Sequence, residues 1–292
     1  MPSLLAVYAH PDDESLFSGG VLARNAAEGG RTAVVTATWA EGTHRAAELA
    51  EALRLLGISE EPRLLGYADS RVPDSAPGSP RLCDAPLDEA VGRLAGHIRD
   101  VRPEIVVTHD AYGGVTGHED HVRTHRLTVL AVQAAGFGRL YPEAGAPWQP
   151  RVLCLAAHPH SAGRAMSGLG GTAADRLWTV PDDDRITTTV DVRPWLSRKW
   201  AAIRAHRCEA RLGAAPGLLA GLPADVREQL LGTEWYIRQD LVHAGDGGEG
   251  RPLTGGRRPV RAGPGPGAHR AAAEGSGCGG AVGRSWVRAR WA

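Results

Sequence analysis

The stretch Leu4-Leu5-Ala6-Val7-Tyr8-Ala9-His10-Pro11-Asp12-Asp13-Glu14-Ser15-Leu16 decides the architecture. Leu4 to Tyr8 is an unbroken apolar run, as expected of a strand buried on both faces of a parallel sheet. Polar residues and Pro11 interrupt it, which predicts a loop. From Leu16 to Ala27 the apolar positions Leu16, Val21, Leu22 and Ala26 predict a helix. Strand, loop, helix is the repeating unit of an α/β fold.

Outward from there the unit recurs. Arg31 to Thr38 reads as a second strand, and Arg45 to Leu56 as a helix stopped by Gly57 at the position where glycine favours a C-cap. Arg63 to Gly66 suits a third strand. Tyr67 to Pro86, rich in Pro, Ser, Gly and Asp, reads as an irregular surface loop of the kind that lines sites. Leu87, Val91, Leu94, Ile98 and Val101 recur at helical spacing until Pro103, and Ile105 to Thr108 is another buried strand. Val122 to Ala135 is expected to be helical, Val152 to Ala156 and Thr187 to Val192 to be strands. Trp195 to Leu212 and Pro223 to Leu231 are expected helices, the latter with proline in its first turn and Gly232 as its stop. From about Ala244 the chain is dominated by Gly, Arg, Pro and Ala, a composition that cannot offset chain entropy by burial. The expected organisation is one domain over residues 1–243 and a low-complexity, disordered tail over residues 244–292.

Composition excludes several classes. The chain has 292 residues, 42% of them apolar, and a formal net charge of zero, so it can bury a sizeable core and no basic excess points to nucleic acid or an anionic membrane. The apolar run at the amino terminus ends at His10, too early for a signal peptide or a membrane span, and the expected location is the cytoplasm. Cys83, Cys154, Cys208 and Cys278 are far apart and form no CxxC pair, so they are read as free thiols.

Chemistry concentrates in two clusters. His10 and Asp13, three apart in a turn stiffened by Pro11, can aim an imidazole nitrogen and a carboxylate oxygen at one ion. Catalytic zinc uses three N or O protein ligands and an open fourth position, so one more ligand is needed, and Gly117-His118-Glu119-Asp120-His121 can supply it. This second cluster follows the Ile105 to Thr108 strand, and loops after parallel strands share the edge where ligands bind at a reversal of strand order. Taken singly, each cluster has a plainer reading. A Pro-Asp-Asp turn can cap a helix, Glu14 can be a favourable first-turn charge, and residues 117–121 can be a solvated loop. Two such clusters at one edge argue for a joint site. His109, His125, His158, His160 and His206 show no ligand spacing and read as ordinary strand-end, helix or loop residues. Asp110, close to the same strand end, is a candidate to orient a ligand.

The Ala-His-Pro-Asp-Asp-Glu of Ala9 to Glu14, paired with the Gly-His-x-Asp-His of Gly117 to His121, resembles the LmbE-like and PIG-L-like N-acetylglucosaminyl deacetylases. The likeness takes in Arg45, Glu48 and Asp74 and spans roughly Leu4 to Asp240. It implies an α/β, Rossmann-like, mostly parallel sheet flanked by helices, with a metal site at the carboxyl edge of the strands. It also implies a metal-dependent hydrolase that removes an N-acetyl group from an amino-sugar-containing small molecule. By the resemblance His10, Asp13 and His121 hold the ion, zinc or alternatively ferrous iron. Asp12 is the general base, His118 faces the oxyanion, Asp120 orients and charges His118, and Arg45, Asp74 and Thr116 lie near the sugar.

Two departures bear on substrate. The mycothiol-pathway members of that family carry a longer insertion after the second strand, where only Glu41-Gly42-Thr43-His44 stands here. They also have a Tyr just before the Gly-His pair, where Thr116 stands here. A shorter rim suggests an open pocket able to admit a larger glycoside, such as an antibiotic intermediate. Three rivals remain at this stage: a thiol-conjugate amidase with the same apparatus, a non-haem Fe(II) oxygenase, since two His and one carboxylate also describe its triad, and a non-catalytic sugar-binding module.

Overall fold

The computed structural model describes residues 1–162 and 181–241. Strands β1 (Leu4–Tyr8), β2 (Thr32–Thr38), β3 (Arg63–Tyr67), β4 (Ile105–His109) and β5 (Val152–Ala157) run parallel. With β6 (Thr188–Asp191) and β7 (Thr233–Asp240) they form a seven-stranded sheet in the order β3-β2-β1-β4-β5-β7-β6, β7 being antiparallel to both neighbours. The helices are α1 (Asp13–Ala27), α2 (His44–Leu56), α3 (Leu87–Val101), α4 (Glu119–Ala134), α5 (Leu196–Ala205), α6 (Arg207–Arg211), α7 (Ala215–Ala220) and α8 (Ala224–Leu231). The α/β, mostly parallel architecture expected from the sequence is what the chain adopts.

Every residue of β1, β2, β4 and β5 is buried, which is why these segments read as apolar runs and not as alternating ones. Leu5, Val7, Val35, Val106 and Leu153 meet Leu94 and Ile98 of α3 and Leu127 and Ala131 of α4 in one core. Leu4, Ala6, Tyr8 and Val34 are equally buried, and α1, α2 and α5 pack together on their side of the sheet. From β1 the chain winds outward to β2 and β3, then returns to place β4 on the other flank of β1. The crevice between the carboxyl ends of β1 and β4 is therefore the switch point where such sheets bind ligands.

Three local differences have physical causes. The helix expected over 195–212 breaks at His206 (φ −79, ψ 66), giving α5 and α6. Strand β7 is not legible as one because its inward face carries Glu234, only 2% exposed. That carboxylate is matched by Lys199 Nζ at 2.7 Å, by the amides of Gly20 and Val21, and by the Tyr236 hydroxyl. A buried charge made an inward position look polar. Helix α4 begins at Glu119 and not near Val122, so the second cluster lies on a helix N-terminus and its first turn instead of in a free loop. The disordered tail expected over residues 244–292 lies outside the described residues. Among the described residues, Cys83, Cys154 and Cys208 are free thiols, and no helix is long and apolar enough to cross a membrane.

One buried cation fixes the far end of the helical layer. Arg99 on α3 is 3% exposed and donates to the carbonyls of Ala134, Ala135, Phe137, Leu140, Tyr141 and Gly145. It thus satisfies the open C-terminus of α4 and the turn after it. Arg99→Met is expected to destabilise the fold by on the order of 3–5 kcal/mol, because several buried acceptors lose their donor. Thermal unfolding checks this, and a melting temperature within about 2 °C of the parent would refute it.

Candidate active site

The loop leaving β1 is held in an unusual conformation. Asp12 has φ 132 and ψ −27, a region costly for any residue with a Cβ, on the order of 1–3 kcal/mol. Its side chain makes no capping bond to α1, which removes the capping explanation for the Pro-Asp-Asp turn. Its amide donates to Glu14 Oε2 at 3.0 Å, while its carbonyl accepts from the amides of Ser15 and Leu16. The carboxylate makes no bond to its own helix and faces Arg45, whose Nη2 lies 3.4 Å from Oδ1.

The three expected ligands converge from two elements. His10 Nδ1 lies 3.1 Å from His121 Nε2 and 3.4 Å from Asp13 Oδ2, and His121 Nε2 lies 3.3 Å from Asp13 Oδ1. An ion bound tetrahedrally with bonds of about 2.0–2.2 Å holds its donors about 3.3 Å apart; the pairwise spacings are of that size, with the two Asp13 contacts made by different carboxylate oxygens. The far nitrogen of each imidazole is tied down. His121 Nδ1 is 3.0 Å from the Gly113 carbonyl, and His10 Nε2 is 3.2 Å from Asp120 Oδ2 and 3.3 Å from Asp69 Oδ2. These partners hold the protons on the far side and turn the lone pairs toward a common point. Asp120 is itself fixed by the Ser70 amide at 2.9 Å and the Ser70 hydroxyl at 2.5 Å. Asp110 accepts from the amides of Tyr112 and Gly114, shaping the turn that carries Gly113. Gly114, at φ 65, must lack a side chain there, since a Cβ would stand 2.9 Å from Phe17.

The electrostatics call for a cation. Asp12, Asp13, Asp69 and Asp120 are all at least nine-tenths buried, against one buried arginine beside them, Arg45. Burial opposes a charge on His10, yet Asp120, Asp13 and Asp69 push its pKa up to about 10. Without an ion, a proton on His10 supplies the positive charge these carboxylates need. Burial works against ionising Asp13 too, but His121, His109 and His10 hold its carboxyl well below the usual range. Burial and then the Asp13 carboxylate push Asp12 up to about 7, against the pull of Arg45. A divalent ion beside it would draw that value back down.

His118 differs from expectation. It is the N-cap of α4, and its Nδ1 accepts from the Asp120 amide at 3.1 Å. Its Nδ1 is 4.0 Å from Asp120 Oδ2. Asp120 thus lies closer to His10 than to His118, and its pull on the His118 charge is outweighed by burial, His10 and His121. Burial, then His10 and His121, push His118 down to about 4. It is a neutral imidazole whose Nε2 carries the proton, the state a helix N-terminus favours for an electrophilic histidine.

Of the expected sugar contacts, Arg45 is brought to the site and the others lie outside the cluster. Arg45 is buried, donates to the Pro11 carbonyl, approaches Asp12 Oδ1 at 3.4 Å and pairs with Glu209 Oε1 at 2.8 Å. Its guanidinium lies 4.7 Å from the centre of the Trp39 ring. Asp74 sits exposed in the 3-10 turn Pro73–Ser75, and Thr116 is exposed two residues before His118. Three groups were missed. Asp69 and Ser70 follow β3, and His109 ends β4, where its ring stacks on His121 at 4.1 Å and its Nε2 lies 3.3 Å from Asp13 Oδ2. Their common signal is position, a polar side chain at the carboxyl end of a parallel strand. His10, His118 and His121 form one potential ion-holding group, His10, Asp69, His118 and Asp120 another, and Asp13, His109 and His121 a third, each with ligand atoms within 4.8 Å.

Fold and site together define a Rossmann-like α/β protein with a buried His and Asp metal site at its switch point. The model of the PIG-L family, GlcNAc-PI de-N-acetylase, matches residues 5–132. A protein of Rhodococcus erythropolis named 1D-myo-inositol 2-acetamido-2-deoxy-alpha-D-glucopyranoside deacetylase is 33% identical, the alignment covering 87% of this chain and 97% of the relative. A protein of Acidothermus cellulolyticus with the same name is 36% identical over 87% of this chain and 94% of the relative. Among solved structures, the conserved protein TT1542 of Thermus thermophilus superposes with a TM-score of 0.58 and 26% identity, covering 86% of this chain and all of that one. The chain belongs to the PIG-L family of de-N-acetylases. That membership displaces the iron-oxygenase reading.

Proposed function

We propose that this chain hydrolyses the acetamide of a GlcNAc-containing small glycoside, releasing acetate and a free amine, with zinc held by His10, Asp13 and His121. The observation that carries the reading is a buried carboxylate, Asp12, whose side chain makes no bond to its own helix and whose pKa is raised by that burial and by the adjoining Asp13, on the loop that also carries His10 and Asp13 to His121. Oxygen activation has no use for such a spare base, and hydrolysis requires one. Similarity to proteins named for deacetylating a glucosaminyl inositol supports the substrate class.

The cation's contribution is Lewis acidity towards water and a carbonyl oxygen; ferrous iron is the other ion this donor set suits. Asp12 takes the proton of the attacking water and, as the tetrahedral species collapses, is placed to return one to the departing nitrogen. His118 offers its Nε2 proton to the developing oxyanion as a neutral donor. Asp120 and Asp69 fix His10, and the Gly113 carbonyl fixes His121. Arg45, whose Nε has no partner among the described residues, and the exposed Asp74 and Thr116 are the proposed sugar contacts, suited to clasping hydroxyls. The short connection from β2 to α2, which begins already at His44, supports an entrance open enough for a glycoside larger than a disaccharide.

The test is mass spectrometry of metal-reconstituted protein incubated with N-acetylated glycosides of increasing size, from a glucosaminyl inositol to a glycopeptide. Loss of an acetyl group is the expected result. Metal-loaded protein that leaves every GlcNAc glycoside intact overturns the reading.

A further inference from the structure

The family model's match ends at residue 132, yet the loop that carries Asp12 is anchored from beyond residue 200. Glu14 is fully buried. One of its carboxylate oxygens accepts the Asp12 amide at 3.0 Å, and the other is 2.9 Å from His206 Nε2. His206, also fully buried, is the residue at which the helical segment breaks between α5 and α6. One turn further, Glu209 pairs with Arg45 Nη1, and Arg45 Nη2 reaches both the Pro11 carbonyl and Asp12 Oδ1. The Cys208 amide donates to Glu48 on α2 at 3.3 Å, which seats this corner against the same helix that bears Arg45. Residues 206–209 therefore reach the Asp12 loop twice, once through its amide and once through its carbonyl and carboxylate.

We infer that the α5–α6 corner is a clamp that holds Asp12 in its productive conformation, with His206 as a positioning residue acting through Glu14 and Glu209 acting through Arg45. The physical need is clear from the backbone. At φ 132 the Asp12 peptide does not stay in place by its own preference, and apart from His206 the Glu14 carboxylate is held, among the described residues, only by its sequence neighbours, the Asp12 amide and the Ser15 hydroxyl, which move with the loop. His206 Nε2 supplies the partner that ties Glu14 to a distant part of the chain. The break in the helix is what lets residue 206 point its ring at Glu14 while residue 209 faces α2. The clamp rests on the proposed role of Asp12 as base.

The experiment uses the full-length, metal-loaded protein. His206→Ala is expected to lower kcat by roughly 10- to 100-fold, the scale of a small misplacement of a catalytic group, with KM within about twofold and metal content unchanged. His206→Gln, whose amide can donate from near the Nε2 position, is expected to restore most of the loss. Arg99→Met serves as the stability control: it lowers the melting temperature without lowering kcat. Independently of any substrate, deuterium exchange at the Asp12 amide is expected to quicken at least tenfold in His206→Ala and to return toward the parent in His206→Gln. An unchanged kcat, an unchanged exchange rate, or failure of Gln to rescue either one overturns the clamp. A parent protein inactive on every glycoside sinks the deacetylase reading instead, and the exchange measurement still decides the clamp.

Discussion

Asp12→Asn is expected to lower kcat by roughly 10²- to 10⁴-fold, the range over which a positioned general base contributes, while the protein keeps its metal. The amide has the size and shape of the carboxylate but cannot take a proton. Asp12 is not among the proposed ligands His10, Asp13 and His121 and belongs to none of the clusters that could hold an ion among the described residues, so the ion is expected to lose no ligand. Arg45 retains the Pro11 carbonyl and Glu209, so the buried guanidinium is not stranded. The diagnostic combination is an inactive variant with parental metal stoichiometry, read by acetate release and elemental analysis side by side. Full activity in the variant would rule out Asp12 as the base.

Removing the ion is expected to abolish turnover and to soften the fold. Chelation or His121→Ala leaves Asp12, Asp13, Asp69 and Asp120 buried together, with His10 and Arg45 as the cations facing them. A ligand present at about a thousandfold over its dissociation constant stabilises the native state by about 4 kcal/mol. In a domain of this size that is a shift of roughly 10 °C in melting temperature. Differential scanning with and without added zinc should show that shift for the parent and none for His121→Ala. A His121→Ala variant that gains as much from zinc as the parent would mean that another of the overlapping clusters, such as His10, Asp69, His118 and Asp120, holds the ion.

Much of the fold was legible because of one property of parallel sheets. Strands buried on both faces must be apolar throughout, so β1, β2, β4 and β5 announced themselves as runs such as Leu4 to Tyr8, and the amphipathic period of α3 was equally plain. β7 was hidden because Glu234 occupies an inward position, neutralised by Lys199 from α5. A pattern of apolar and polar letters cannot register a charge whose partner is 35 residues away. The corner at His206 was hidden for a related reason. Its helix break has no proline or glycine to mark it, and what bends the chain is the set of contacts to Glu14 and Glu48.

The opening stretch, with its partner at Gly117 to His121, was enough by its family resemblance to point to a metal-dependent deacetylase. Metal ligands and a base must be particular residue types, so the proposed ligands His10, Asp13 and His121 and the proposed base Asp12 stood out within motifs that resemble the family's. The assignment of partners was left to the tertiary structure. Only the return of the chain from β3 to β4 placed Asp69 and Asp120 on the far nitrogen of His10. Only burial and the approach of His10 and His121 push His118 down to about 4, and only the start of α4 turns its Nδ1 to the Asp120 amide. Residue type fixes what a side chain can do, whereas burial and neighbours fix its charge and direction, and those arise from contacts between segments that the linear order keeps apart.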